Sequence, residues 1–205
     1  MEILEKIIQM YPDAKCELTY QNSFEFLIKV ILSAQTTDKA VNYHTKELFE
    51  IYDTPEKMLK LTYDELYNEI KVLGLAKNKT NYILNLSKIL VEKYDSKIPT
   101  DKKILETLPG VGKKTANVYL AEILKVPAIA VDTHVYRVSK RIGLVDENAT
   151  VEECEESLEK RYPKDLWIKA HHSILFLGRY KCKAKNPECE SCLIKEKCRF
   201  FQKQC

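Results

Sequence analysis

The sequence predicts an all-α protein. Three observations carry that prediction. Apolar residues recur at helical spacing in several segments, helix-start chemistry precedes some of them, and no strand-like alternation persists along the 205 residues. Phe24, Leu27, Ile28, Ile31 and Leu32 follow the i, i+3, i+4, i+7, i+8 pattern of a buried helix face. Ile83, Leu86, Leu90 and Tyr94 do the same within a helix expected from Asn78 to Tyr94. Thr150-Val-Glu-Glu153 is a capping-box pattern that opens a helix running toward Arg161. Pro55, Pro99, Pro127 and Pro163 punctuate helix starts or the loops between helices. No internal repeat or low-complexity tract interrupts this pattern.

The length allows one good core or two smaller ones sharing an interface. No run of eighteen apolar residues is present, which excludes a membrane-spanning helix, and Met1-Glu-Ile-Leu-Glu-Lys lacks the pattern of a signal peptide. The expectation is therefore a cytosolic or nuclear protein. The net charge is only +3, but it is unevenly placed: residues 161–205 carry eleven Lys/Arg against four Asp/Glu, and residues 1–160 carry twenty-two against twenty-six. A basic C-terminal segment fits a nucleic-acid footprint, and it equally fits a solvated basic tail.

Residues 108–117, Leu-Pro-Gly-Val-Gly-Lys-Lys-Thr-Ala-Asn, concentrate the most chemistry. Pro109 fixes its own φ, and Gly110 and Gly112 are expected in conformations that a β-carbon would forbid. Two of only five glycines thus fall within three residues. A short helix over 101–108 precedes this turn, and a longer one from Lys113 to Leu124 follows it, with Ala116, Leu120, Ile123 and Leu124 on one face. Hairpin amides and a helix N-terminus can bind an anion such as phosphate. Lys113 and Lys114 lie in the first helical turn, where the macrodipole disfavours positive charge. They read either as two solvated lysines, or as one phosphate contact beside one lysine pushed toward its neutral, nucleophilic amine.

Cys182, Cys189, Cys192 and Cys198 follow the spacing C-x6-C-x2-C-x5-C. Such density in an intracellular chain points to metal rather than to disulfides, and the thiolates alone suit zinc and an iron–sulfur cluster equally. Lys183 and Lys185, in the loop between the first pair, are candidate phosphate contacts. Cys16, Cys154 and Cys205 have no partner spacing and are read as free thiols.

Taken together these residues resemble the endonuclease III family of DNA glycosylases, within the helix-hairpin-helix glycosylase superfamily. The resemblance rests on four motifs in the family's order: Leu32-Ser-Ala-Gln-Thr-Thr-Asp38, the Leu108–Asn117 hairpin, Val131-Asp-Thr-His134 and the cysteine spacing. It implies that Lys114 is the catalytic lysine and Asp132 the catalytic aspartate. The lysine would attack C1′ of a flipped-out damaged nucleotide, expel the base and form a Schiff base, and β-elimination would cut the strand on the 3′ side. Asp132 reads on its own as a helix N-cap, a role compatible with the catalytic one.

The resemblance further implies that Gln35 and Leu75 fill the gap left by the flipped base and wedge the opposite strand. Leu75 alone could equally be an ordinary helix-cap contact. Gly110, Val111, Gly112 and Lys113 would hold the DNA strand, and Asp38, Glu106 and His134 are secondary site residues. His134, His171 and His172 are expected as structural or DNA-backbone residues rather than ligands. The four cysteines would bind one [4Fe–4S] cluster. The implied fold is two all-α lobes flanking a DNA-binding cleft: a helical barrel over residues 22–130, with the helix-hairpin-helix at about 101–124, and a lobe of 1–21 plus 131–205 carrying the cluster loop 182–198.

The implied partner is double-stranded DNA containing damaged bases, with oxidised pyrimidines expected, or abasic sites. No membrane is involved, and a monomer acting with the chromosome in the cytoplasm is expected. Two other readings compete. Monofunctional mismatch glycosylases of the same superfamily share these motifs but typically lack a lysine at position 114, and thymine-mismatch relatives usually carry tyrosine there. A non-catalytic DNA-binding or redox module would have no need of both Lys114 and Asp132.

Overall fold

The computed structural model describes residues 1–203, and the Cys205 reading lies outside them. Its helices are α1 (Glu2–Met10), α2 (Ser23–Leu32), α3 (Asp38–His44), α4 (Lys46–Ile51), α5 (Pro55–Met58), α6 (Tyr63–Ile70), α7 (Ala76–Tyr94), α8 (Lys102–Leu105), α9 (Lys113–Ile123), α10 (Thr133–Arg141), α11 (Val151–Arg161), α12 (Trp167–Phe176) and α13 (Arg199–Gln202). No strand occurs among the described residues, so the all-α expectation holds. The chain forms two compact units. The middle unit is Glu17–Leu124, and the other joins Met1–Cys16 to the chain from Lys125 onward.

The middle unit contains α2 to α9. Its core includes Phe26, Leu27, Ile28, Leu32, Met58, Leu66, Ile70, Ile83, Leu86 and Leu90, all buried. The stripe read in α2 is buried as expected, and it also carries an ion pair, Lys29 Nζ to Glu25 Oε1 at 2.7 Å, buried at both ends. Lys29 also donates to the Thr19 carbonyl, and Glu25 accepts from the Gln21 amide, so both charges are hydrogen-bonded. α2 packs on α9, with Phe26 and Tyr119 rings 6.4 Å apart. α7 packs on α5 and α6. It begins two residues before the expected Asn78, because Leu75 itself adopts a left-handed conformation and acts as its N-cap.

The helix expected over 101–108 is shorter in the structure. Asp101 caps it by accepting from Ile104 N (3.0 Å), and helical geometry ends at Leu105. Tight turns then bond Thr107 N to Ile104 O and Leu108 N to Leu105 O, both at 3.0 Å.

The second unit contains α1 and α10 to α13. Leu4 and Ile7 of α1 share a core with Val135 and Val138 of α10, Leu158 of α11 and Ile174 of α12. α12 packs on both α1 and α10, and Tyr11 and Phe176 meet edge to face at 6.0 Å. Thr150 and Glu153 form the expected capping box at the start of α11. Beyond α12 the backbone widens into a π-helical turn over Leu177–Lys181, closed by Cys182 N on Leu177 O at 2.6 Å. Among the described residues no helix is long and apolar enough to cross a membrane.

Candidate functional site

The hairpin of the middle unit divides its two glycines by role. Gly110 has φ +78°, and a β-carbon there would sit 3.0–3.1 Å from the Tyr82 side chain on α7. Both the backbone and the packing therefore demand glycine at 110. Gly112 differs from the expectation: its φ is −90°, open to any residue, and nothing lies within 4 Å of the β-carbon position. Its lack of a side chain leaves open space at the hairpin and no side-chain cap on α9, whose first backbone bond is Ala116 N to Gly112 O at 2.9 Å. Val111 is buried beneath the turn, with its amide on Leu108 O at 3.0 Å.

Lys113 and Lys114 are the first two residues of α9, and both are exposed. Nearby Glu106 is exposed at the end of α8, and Asp38 is the first residue of α3, behind its N-cap Thr37.

Gln35 and Leu75 lie in two loops of the same unit. Both are exposed, and both have left-handed backbones, with φ +56° and +51°. Neither is a glycine, so each loop holds its tip in a conformation that side chains normally avoid. Gly74, just before Leu75, also has positive φ. The loops are joined from below: Thr36 Oγ1 donates to Leu73 O, and the buried Lys79 ammonium reaches main-chain oxygens of both.

In the other unit Asp132 is the N-cap of α10. Its Oδ1 accepts from His134 N (2.9 Å) and Val135 N (2.8 Å), which fixes the carboxylate and leaves Oδ2 outside the cap. The capping role expected for Asp132 is therefore present. His134 Nδ1 lies 3.3 Å from Arg137 Nη2, and its β-carbon packs so closely on Gly178 that a side chain there would approach within 2.9 Å. His171 is buried and packs edge to face on His172 at 4.9 Å, inside α12 rather than at a ligand position.

Cys182, Cys189, Cys192 and Cys198 line one small cavity together with Ile142, Leu177 and Ile194. Burial pushes the Cys189 thiol up, and charge on Cys182, Cys198 and Cys192 pushes the same way. Burial also raises Cys192. Thiols such as Cys189 and Cys192, whose ionisation burial opposes, would be favoured as thiolates by a bound cationic centre. Among the described residues no group of three or more His, Cys, Asp or Glu side chains is arranged to hold a metal ion as it stands. The cysteines share a cavity without converging on a point.

Arginines on α10 anchor the cysteine segment, and the sequence reading missed them. Arg137 donates to Gly178 O (2.8 Å) and to Cys182 O, while Arg141 donates to Lys183 O (2.7 Å) and Ala184 O (3.1 Å). Their spacing, one helical turn apart after a capping aspartate, was the only signal available.

The basic C-terminal segment is partly neutralised within its own unit. Lys183 pairs with Glu188 (2.7 Å), Lys195 with Glu190 (3.2 Å), Lys203 with Glu147 (2.5 Å) and Lys197 with Glu2. Lys185 is exposed with no ion-pair partner among the described residues. Of the two loop lysines, it alone presents an uncompensated charge.

Comparison with known proteins matches residues 28–164 to the HhH-GPD superfamily of base excision DNA repair proteins. The chain is 47% identical to endonuclease III of Bacillus subtilis over 201 residues, covering 98% of this chain and 92% of the relative. It superposes on a solved non-covalent endonuclease III–DNA complex with TM-score 0.96 at 47% identity, covering 99% of this chain and 95% of that one. A trapped endonuclease III–DNA covalent intermediate matches with TM-score 0.95, also at 47% identity, covering 98% and 94%.

Proposed function

The chain belongs to the endonuclease III family of the HhH-GPD superfamily of base excision DNA repair proteins, and we propose from this that it is a bifunctional DNA glycosylase and abasic-site lyase. The carrying observation is the lysine at 114 in the first turn of α9, directly after the open Gly110–Gly112 turn. A similar protein has been trapped covalently on DNA, which a lysine nucleophile explains.

The substrate is double-stranded DNA with a damaged base, oxidised pyrimidines first, or an abasic site, and the protein works with the chromosome. The target must leave the base stack before chemistry can reach it. Gln35 and Leu75, exposed on their loops, would enter the duplex as it does. Amides of the hairpin and of α9 would take a phosphate, with Lys113 and Lys185 adding charge, and Lys183 contributing less because Glu188 shares it.

Lys114 Nζ, as the neutral amine, would attack C1′ as the bond from C1′ to the base nitrogen breaks. Opening of the sugar ring then leaves a Schiff base between Nζ and C1′. Loss of the C2′ proton expels the 3′ phosphate and cuts the strand. Asp132 would stabilise positive charge on the sugar through Oδ2, the oxygen that its cap leaves unused, and could manage the lysine proton. Asp38, Glu106 and His134 would orient or bind DNA near these groups.

Cys182, Cys189, Cys192 and Cys198 would hold a [4Fe–4S] cluster, which when bound pins the 182–198 segment. The four cysteines line one cavity, and their C-x6-C-x2-C-x5-C spacing, which resembles the family's, supports a cluster over a single zinc. The two compact units support a barrel and a cluster lobe as the functional division, close to residues 22–130 and the remainder.

Borohydride trapping on duplex abasic DNA tests the reading. Wild type is expected to form a covalent adduct and Lys114→Gln none. Wild type without adduct, or a variant that traps equally well, removes the lyase assignment. Visible absorption of the purified protein separates an iron–sulfur cluster from zinc, which absorbs none.

A further inference from the structure

Lys79 is the most unusual side chain in the middle unit. It lies in the first turn of α7 and is only 2% exposed. Its ammonium donates to Leu32 O (2.8 Å), Ala34 O (2.8 Å) and Leu73 O (2.9 Å), with Thr36 Oγ1 at 3.4 Å. An ammonium has three protons, and three carbonyls receive them. Its partners among the described residues are neutral oxygens, with no carboxylate. Burying a cation is costly, and the α7 N-terminus disfavours positive charge. A core position needing only volume would carry leucine or methionine instead.

What the ammonium does is visible in where its partners lie. Leu32 ends α2, so its carbonyl lacks an intrahelical partner, and a cation there is favourable. Ala34 immediately precedes Gln35, and Leu73 stands two residues before Leu75. One charge thus grips both loops directly beneath their left-handed tips. Thr36 adds a second link, its hydroxyl donating to Leu73 O. The two loops are far apart in sequence and have no β-ladder or disulfide to fix their separation.

We infer that Lys79 is a positioning residue for strand penetration: its ammonium holds the Gln35 and Leu75 loops at one fixed spacing before DNA arrives. The inference rests on the reading that Gln35 and Leu75 enter the duplex. A strut of this kind matters on double-stranded DNA, where two tips must be placed together in one gap. It is irrelevant to Schiff-base formation on a single strand, where no gap exists.

The test uses Lys79→Met, which keeps the stem volume and deletes all three donors, in the full-length protein. The duplex probe carries a tetrahydrofuran abasic analogue opposite 2-aminopurine, whose fluorescence rises when its stacking is broken. The expected result is about tenfold weaker binding and a diminished fluorescence rise, since small misplacements of a prearranged site have effects of this size. Borohydride trapping on a single-stranded abasic oligonucleotide should stay within about twofold of wild type. In a Gln35→Ala/Leu75→Ala background, Lys79→Met should add no further loss on the duplex, because its effect runs through those tips.

A wild-type fluorescence rise in Lys79→Met overturns the inference. Equal losses on duplex and single strand overturn it too, since they signal general damage. If Gln35→Ala/Leu75→Ala itself leaves fluorescence and binding unchanged, the penetration reading fails first and is identified as the source. Should Lys79→Met not fold, Lys79→Gln, which keeps a polar end but removes the charge and its three-way grip, carries the test. It should lose duplex fluorescence while retaining single-strand trapping, and no duplex effect there overturns the inference.

Discussion

Arg137 donates to the main-chain oxygen of Cys182 from both Nε (3.3 Å) and Nη2 (3.1 Å). One side chain therefore ties the helix that Asp132 caps to the first of the four cysteines. Arg137→Met keeps the aliphatic stem and removes the donors to Cys182 and Gly178. Stability should fall by about 2 kcal/mol, and the visible absorption of the proposed cluster should bleach at a lower temperature than in wild type. A variant that melts and bleaches like wild type would show that the tie carries no strain between helix and cysteines.

Substitution can separate the capping role of Asp132 from the catalytic role proposed for it. Asn caps helices as well as Asp, so Asp132→Asn should melt near wild type and yet lose base excision. Asp132→Ala should lose excision and also about 1 kcal/mol of stability through the missing cap. Thermal melts paired with excision kinetics check both. Full activity in the Asn variant would restrict Asp132 to capping.

The hairpin glycines should respond in opposite directions. Gly110→Ala forces a positive φ on alanine and pushes its methyl against Tyr82, at a cost of about 2 kcal/mol. Gly112→Ser meets no neighbour and supplies an N-cap hydroxyl to α9, so the fold should hold or gain stability. Its side chain would nevertheless occupy the surface offered to phosphate, weakening binding to abasic duplex by about tenfold, the value of one charge-assisted contact. Calorimetric melts and fluorescence anisotropy measure the two effects. Gly112→Ser with wild-type affinity would show that no phosphate approaches there.

The Lys29–Glu25 pair should be a strict partnership. Glu25→Ala leaves a buried ammonium uncompensated and should destabilise the middle unit by about 3 kcal/mol. Replacing both, Lys29→Met with Glu25→Leu, should recover most of that loss. A double variant as unstable as the single one would locate the defect in packing instead.

Tyr162 predicts an alkaline limit. It is buried, its hydroxyl has no hydrogen-bond partner among the described residues, and burial pushes its pKa up to about 12 from 10.0. The folded state then keeps a proton that the unfolded chain releases. Its contribution is complete below pH 10 and is lost between about pH 10 and 12, amounting to about 2–3 kcal/mol at full titration. Tyr162→Phe lacks that titration, so its melting temperature relative to wild type should rise as the buffer moves from pH 9 to pH 11. A constant difference would place the Tyr162 titration elsewhere.

Periodicity made the fold legible. The α2 stripe, the α7 stripe and the Thr150 capping box are each decided by residues within a few turns of one another, which a linear reading can see. The hairpin was legible only in part. Gly110 must be glycine because its φ is positive and Tyr82, on α7, closes the space, whereas Gly112 has an ordinary φ and an open flank. Sequence alone presents the two glycines as equivalent, since the atoms that distinguish them come from elsewhere in the chain.

Lys79 shows the same limit from the opposite side. It stands one turn before Ile83, on the face that continues through Leu86 and Leu90, so its burial was encoded in the stripe. A charged residue at that register reads as a break in the apolar pattern rather than its extension. Its partners are main-chain carbonyls, which every residue possesses, and such partners leave no mark in a sequence. The basic C-terminal segment was legible only in part for a related reason: counting charges along the chain cannot reveal that Glu2 and Glu147 meet Lys197 and Lys203.

The division of the chain also sets an order of synthesis. The middle unit is continuous and has all its parts once Leu124 is made. α1, although translated first, buries Leu4 and Ile7 against a core that includes Ile174. At bacterial or eukaryotic elongation rates it waits about ten seconds or longer for that partner. During that wait an amphipathic helix hangs unpaired beside a finished neighbour, and the four cysteines emerge last of all. The newborn chain is therefore most exposed to misassembly at its first ten residues, and any group held by those cysteines can be loaded only at the close of translation.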